Sequence, residues 1–374
     1  MQRDEKWIKL AAPLVGLEEL NALKEVLESG RLVRGEKTKI FEYEISKFVG
    51  IKNSIALNSG TSALFALFKA IGLSSGDEVI LPALTFPAAA ECAVLLGAKP
   101  VFVDVSPETL NIDPTGVVRA LSERTRVIVA IDQFGVPADY EPLLEIAQKN
   151  GVILIEDAAC SLGAFYKGKP CGSFGKASIL SFHPRKIITT GEGGMVLTDD
   201  DELAQKIDSL RNHGIGRNGD FEDAGLNLRM SEIHSAIGIC QMRKIHEILK
   251  RRKEIKSIYE KKLSGFVKFQ KEVEGGQSSW QTIVVMLDAK LGSRVRDSII
   301  STMAQRKIEL QVASFSAGRL KPYRRFCGGE KLEVSDYVHE CGLALPAHSL
   351  MDEEDAEFVC KSFIEVLSKL QKEA

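Results

Sequence analysis

The chain has 374 residues, 44% hydrophobic and 27% charged, with a formal net charge of −2. That length supports a large core and about two domains, and the composition is ordinary for a folded globular protein. The near-neutral charge excludes a global basic field for nucleic acid, so any anion must be held by local features.

The N-terminal segment Met1–Leu14 has charge but no apolar signal-peptide core. The most apolar long stretch, Ala83–Ala98, contains Pro87 and Glu91 and is too short for a membrane span. A cytoplasmic protein with no membrane or nucleic-acid partner is expected. The seven cysteines are scattered and form no CxxC pair, so reduced core thiols are expected rather than disulfides. The six histidines are dispersed, and no metal site is predicted.

In chain order, Leu17–Glu28 has helical spacing, and Gly30 is placed to end it. Glu36–Phe48 reads as a second helix. A regular alternation follows. Strands are predicted at Ser54–Leu57, Glu78–Leu81, Pro100–Val103, Arg126–Ile131 and Gly151–Ile155, then near Ala177–Phe182 and Gly194–Thr198. Helices are predicted at Thr61–Ile71, Ala88–Leu96, Pro114–Leu121 and Tyr140–Asn150. Such alternation predicts an α/β fold, a mostly parallel central sheet covered on both faces. From Ser231 the pattern changes to one long Lys/Arg-rich helix reaching Leu263. An apolar run at Trp280–Leu287 and helices at Arg294–Arg306 and Asp352–Leu370 come after it. We expect a large domain over 1–235 and a smaller C-terminal α+β domain over 236–374.

Ligands of parallel sheets bind beyond the carboxyl ends of the strands. After Ser54–Leu57 comes Asn58-Ser-Gly-Thr-Ser-Ala-Leu64, a strand, a turn at Gly60 and a helix start. The free amides and dipole there suit a phosphate, with Thr61 and Ser62 adding hydroxyls; alone, the motif also reads as a plain helix cap. Asp157, in Glu156-Asp-Ala-Ala159, reads as a carboxylate aimed into a pocket, or else as a cap or salt-bridge partner. Lys186 follows the strand that ends in Ser181-Phe-His-Pro-Arg185 and precedes Gly191-Glu-Gly-Gly194. Most lysines are only solvated. Together, though, these segments supply what pyridoxal phosphate needs: a phosphate cradle, an acid for its ring nitrogen and an amine for its aldehyde.

These motifs, with Gly76-Asp-Glu-Val-Ile80, resemble the DegT/DnrJ/StrS family of nucleotide-sugar aminotransferases, from about Leu17 to about Met242 and more weakly to Leu370. The resemblance implies a three-layer fold type I PLP-transferase and a homodimer with active sites at the interface. It makes Lys186 the Schiff-base lysine and Asp157 the partner of the ring nitrogen. Thr61, Ser62 and Ser181 become phosphate ligands, with Gly60 a further cofactor-binding residue in their turn, Phe86 the stacking aromatic and Asn227 a residue reaching the partner's cofactor phosphate. His183 lies beside these. Cys160 stands where the family often has Gln or His near the cofactor's ring oxygen, and Leu226 where an aromatic is common. A lysine at 186, where some members carry histidine and dehydrate sugars, favours amine transfer, with glutamate as donor and a nucleotide-linked keto sugar as acceptor. A dehydratase, a cyclitol aminotransferase and a non-catalytic sensor are the alternatives.

Two other motifs are set aside. Gly214-Ile-Gly-Arg-Asn-Gly219 matches GxGxxG but follows a helix rather than a strand. Gly30-Arg-Leu-Val-Arg-Gly-Glu-Lys-Thr38 is one residue off a P-loop and has no strand before it. The Lys250–Lys256 run is interleaved with Glu254 and reads as a solvated helix face.

Overall fold

The computed structural model describes residues 7–329 and 331–373. Helix α1 (Leu17–Ser29) opens where Glu19 accepts the Gly16 amide at 2.8 Å. It ends at Gly30, whose φ of 66° costs little only for glycine. Helix α2 (Glu36–Val49) ends the same way at Gly50. Then come β1 (Asn53–Leu57), α3 (Gly60–Ala70), β2 (Glu78–Pro82), α4 (Ala88–Leu95), β3 (Lys99–Val103), α5 (Pro114–Ala120), β4 (Thr125–Ile131), α6 (Tyr140–Asn150) and β5 (Ile153–Asp157). Two short strands, β6 (Phe165–Tyr166) and β7 (Lys169–Pro170), precede β8 (Ala177–Ser181), β9 (Gly194–Thr198) and α7 (Asp201–Leu210).

The main sheet has the order β1-β9-β8-β5-β4-β2-β3. Only β9 runs against its neighbours β1 and β8; the other pairings are parallel. Both faces are covered. Val79, Leu81, Val127, Val129 and Ile155 pack with α3 and α4, while Ile80, Ile128, Ala130 and Leu154 pack with α5 and α6. This period of two, apolar on both sides, is the expected buried parallel sheet.

One strand is displaced from its expected position. Gly151 caps α6 with φ 63°, so β5 starts at Ile153 and runs on through Glu156 and Asp157. Two acids continue a buried strand because the fold supplies donors. The amides of Gly172 and Phe174 reach the Glu156 carboxyl oxygens at 2.6 and 2.8 Å, which offsets the cost of burial.

Helix α8 (Glu232–Leu263) joins two cores. Its first half gives Met242, Ile245 and Ile248 to the core beside α2, and its second half gives Ile255, Tyr259 and Leu263 to another. That second core is built on β10 (Lys268–Phe269), β11 (Gly276–Gln277), β12 (Ile283–Met286), α9 (Gly292–Gln305), β13 (Gln311–Val312), α10 (Glu333–Cys341), β14 (Gly342–Leu345) and α11 (Glu353–Glu373). Strands β10-β12-β14-β13 form an antiparallel sheet, and β11 joins β6 and β7. Ile283, Val285, Leu343 and Leu345 face α8, α9 and α11; Val284 and Met286 face Leu84, Leu110 and Phe134 of the larger body. Ile8 also joins the small core, through a bridge to Ile308. Helix α10 and strand β14 have no counterpart in the sequence expectations. No helix among the described residues is long and apolar enough to cross a membrane.

Candidate active site

The turn after β1 is fixed by backbone contact. Ser59 caps α3, its Oγ accepting the Ser62 amide at 3.0 Å. A Cβ on Gly60 would lie 3.0 Å from the Ser181 Cβ, and one on Gly194 would lie 2.3 Å from the Ser59 carbonyl oxygen. Glycine at these positions lets the end of β8 and the start of β9 press against the α3 turn. Ser181 therefore sits beside the first turn of α3, next to Thr61 and Ser62. The amides of Gly60 and Thr61 have no intrahelical acceptor there. The result is a small cradle of hydroxyls and amides at a positive helix end.

Asp157 ends β5, the second strand along from β9, with a relative exposure of 8%. Its Oδ1 accepts the Ala159 amide at 3.0 Å. Burial lifts its carboxyl from 3.8 to about 6, while the Ala159 amide and the Lys186 ammonium pull it down and Asp132 pushes it up. Lys186 lies in the turn after β8, where its amide donates to the His183 carbonyl at 2.8 Å. Its Nζ meets the Cys160 Sγ at 3.1 Å. Cys160 is the only cysteine that is not fully buried among the described residues. Its carbonyl accepts the Ser279 hydroxyl at 2.8 Å.

Beneath this group lies a fully buried carboxyl pair. Asp132 accepts the Ala138 amide and the hydroxyls of Tyr140 and Ser161 at 2.8, 2.5 and 2.5 Å. Glu156 faces it, and burial together with the Asp132 charge raises the Glu156 carboxyl well above the usual range. Burial raises the Asp132 carboxyl as well, and two such neighbours do not both ionise readily, so the pair holds a proton between them. The Asp132 amide donates to the Asp157 carbonyl at 3.1 Å, tying the pair to the strand end above it.

The remaining expected residues stand at the rim. Phe86 is 65% exposed just past β2, where the Thr85 amide donates to the Phe315 carbonyl at 3.0 Å. Asn227 is exposed, and the next residue, Leu228, accepts the Asn58 amide at 2.9 Å, so this segment runs beside the α3 turn. His183 is exposed and shapes the lysine turn, its Nδ1 accepting the Arg185 amide at 3.2 Å. Partial desolvation of the ring lowers its imidazole below the ordinary range, with the Lys186 and Arg185 charges acting the same way and Glu192 against them.

Some site residues carry no sequence signal. Arg252 is fully enclosed and donates to the carbonyl oxygens of Trp280 and Gln281 at 3.3 and 2.7 Å, holding their loop over Cys160. Gln281 donates to the Arg185 carbonyl. Ser59, by contrast, has a signal: serine three residues before another serine, at a strand end and ahead of an apolar helix. The near-P-loop turns out to be occupied by the protein itself. Glu232 accepts the amides of Gly35, Lys37 and Thr38 at 2.8, 2.8 and 2.9 Å. The GxGxxG segment is a loop with a single bridge between Ile215 and Phe221. A groove of about 1440 Å³, lined by Lys253, Lys256, Phe269 and Trp280, contains neither Lys186 nor Asp157.

A buried carboxylate, an amine with no carboxylate partner among the described residues, and a hydroxyl-and-amide cradle match the three ends of pyridoxal phosphate. The glycine contacts at 60 and 194 leave the cradle backbone no room for a side chain, so backbone amides line it.

The profile of the DegT/DnrJ/EryC1/StrS aminotransferase family matches residues 13–364. The chain is 33% identical, over 390 aligned positions, to the spore coat polysaccharide biosynthesis protein SpsC of Bacillus subtilis, covering 98% of this chain and 99% of that one. It is 34% identical to GDP-perosamine synthase of Caulobacter vibrioides, covering 96% and 98%. Helicobacter pylori PseC, an aminotransferase involved in the biosynthesis of pseudoaminic acid, superposes with a TM-score of 0.93 at 27% identity, covering 97% of this chain and 100% of that one.

Proposed function

The chain belongs to the DegT/DnrJ/EryC1/StrS aminotransferase family, and from that premise we propose that it moves an amino group from L-glutamate to the keto carbon of a nucleotide-linked sugar, for amino-sugar synthesis. The observation that carries this is the convergence of Lys186, Asp157 and the α3 turn at the ends of neighbouring strands.

Pyridoxal phosphate, when bound, supplies an electron sink for the pair left on carbon as a C–H bond beside nitrogen breaks. Lys186 would hold it through Nζ, and Asp157 would face its ring nitrogen. Gly60, Thr61, Ser62 and Ser181 would hold its phosphate, Phe86 would cover its ring, and Cys160 and His183 would flank it. An ionised Asp157 keeps a proton on the nitrogen opposite. Once free, the Lys186 amine would take the proton from the donor's α-carbon and pass it to the cofactor carbon that had carried the aldehyde, so that the amine stays behind when the keto acid leaves. The one side-chain partner of the Lys186 Nζ among the described residues is the Cys160 thiol, a weak hydrogen-bonding group that the cofactor's aldehyde can displace.

The same reading has two domains, 1–235 and 236–374, with the site at their seam, and a cytoplasmic setting. It also has a homodimer in which Asn227 reaches the partner's site. Exposed Leu17, Leu20, Leu27, Val33 and Tyr43 on or beside α1 and α2 give such a partner an apolar surface.

Purified protein should show visible cofactor absorbance and transfer labelled nitrogen from glutamate to a keto-sugar nucleotide. Lys186→Ala should bind the cofactor without forming a borohydride-reducible adduct. Absence of absorbance in the wild type, or an adduct in the variant, would refute the proposal.

A further inference from the structure

At the mouth of the site stands a cation with no anion among the described residues. Arg185 precedes Lys186, their Cα atoms about 3.8 Å apart. It is exposed, and its Nη1 donates to the neutral amide oxygen of Gln311 on β13 at 2.9 Å. Nearby arginines are otherwise engaged: Arg211 with Glu42 and Asp208, Arg34 with Asp208, Arg319 with Asp336 and Glu340. Arg229, which also lacks a carboxylate among the described residues, bonds Asn212 and lies on the other flank, bridged to Leu57 beside the α3 turn.

Arg185 is also placed. Its carbonyl accepts the Gln281 side-chain amide at 2.5 Å, and its own amide donates to His183. Ser279, two residues before Gln281, donates to the carbonyl of Cys160, whose sulfur meets the Lys186 amine. One short loop of the smaller body therefore touches residues on both sides of the reactive amine. The Arg185 side chain crosses from the lysine turn to β13. A guanidinium carries five donors in a fork matched to a carboxylate, and the protein engages few of them here.

We propose that Arg185 recognises the α-carboxylate of the amino donor and so selects α-amino acids over plain amines. This rests on the aminotransferase reading. The substrates offer two anions, the donor carboxylate and the diphosphate of the sugar nucleotide. Position favours the carboxylate. It lies one bond from the carbon that surrenders its amine, so its cation must stand within a side-chain length of Lys186. The diphosphate hangs on the anomeric carbon, several bonds from the keto carbon.

The test uses the holoenzyme and the donor half-reaction alone, read as the absorbance change of the bound cofactor on mixing with L-glutamate or with 4-aminobutyrate, which lacks the α-carboxylate. Arg185→Gln should raise the half-saturating glutamate concentration roughly 10- to 100-fold. The response to 4-aminobutyrate should not change, so selectivity between the two collapses. Arg185→Lys should recover part of it. Gln311→Leu removes the tether but not the charge and should keep most of the selectivity. Unchanged selectivity in Arg185→Gln overturns the proposal, as does an equal loss in Gln311→Leu. A variant that answers glutamate normally but has lost inhibition by dTDP or GDP overturns it in favour of the diphosphate. A wild type that does not respond to glutamate at all refutes the aminotransferase reading instead.

Discussion

Replacing Asp157 by Asn should stabilise the cofactor-free protein at neutral pH and abolish transamination. Burial lifts the carboxyl from 3.8 to about 6. At about 1.4 kcal/mol per pH unit, ionising it in the fold costs about 3 kcal/mol more than in the unfolded chain. The folded state holds the proton more tightly. The penalty is therefore absent below about pH 3.8, grows as pH rises, and is complete somewhat above about pH 6. Asn keeps an oxygen for the Ala159 amide, now at 3.0 Å, and never ionises. Thermal midpoints of wild type and variant should coincide near about pH 4 and differ by a few degrees near neutral pH, the variant higher. Adding the cofactor should reverse the order, because only the carboxylate gains a cationic partner. Calorimetry of both apoproteins across this range is the assay. A variant less stable than wild type at neutral pH, or a gap that persists in acid, refutes the reasoning.

Glu156 offers a second linkage. Its raised carboxyl makes the fold lose stability as pH climbs past the ordinary glutamate value, by up to about 1.4 kcal/mol per pH unit. Glu156→Gln should flatten that slope in urea unfolding followed from about pH 5 to about pH 8; parallel slopes would count against a shared proton. Gly194→Ala places a Cβ 2.3 Å from the Ser59 carbonyl and should displace the α3 turn. Cofactor affinity, read by spectral titration, should fall at least tenfold while β1–β9 pairing survives in the far-ultraviolet spectrum. Unaltered affinity would mean that the turn is not the cradle.

The strand ends are legible because apolar runs of four to six residues have few other uses, and the chemistry lies a few positions past them. Asp157, Thr61 and Lys186 stand out in that way. The displacement of β5 is not legible, because Glu156 looks like a strand terminator until the amides of Gly172 and Phe174 are known to meet it. The Asp132–Glu156 contact depends on the register of β4 against β5, which sets Ala130 beside Glu156 and brings the residue just past β4 within reach, and local patterns do not encode register. The occupant of the near-P-loop lies almost two hundred residues away at Glu232, beyond any motif. The supports of Cys160 and Arg185 come from a loop of the smaller body, so their geometry depends on how two cores meet. Helix α10 and strand β14 leave little signal because they abut with no intervening turn residues, the helix ending at Cys341 and the strand starting at Gly342.

The place of β9 in the sheet sets an order of events during synthesis. Among the described residues β1 has no strand neighbour but β9, so Asn53–Leu57 wait for Gly194–Thr198 to leave the ribosome. At about 5–20 residues per second that wait is on the order of ten seconds. Until then α1, α2 and α3 are tethered to an unpaired edge strand, open to chaperones and to other chains. The cradle is thus the last part of the large sheet to close, although it is encoded among the first, and a nascent chain cut short before β9 can have the lysine yet nowhere to seat the phosphate.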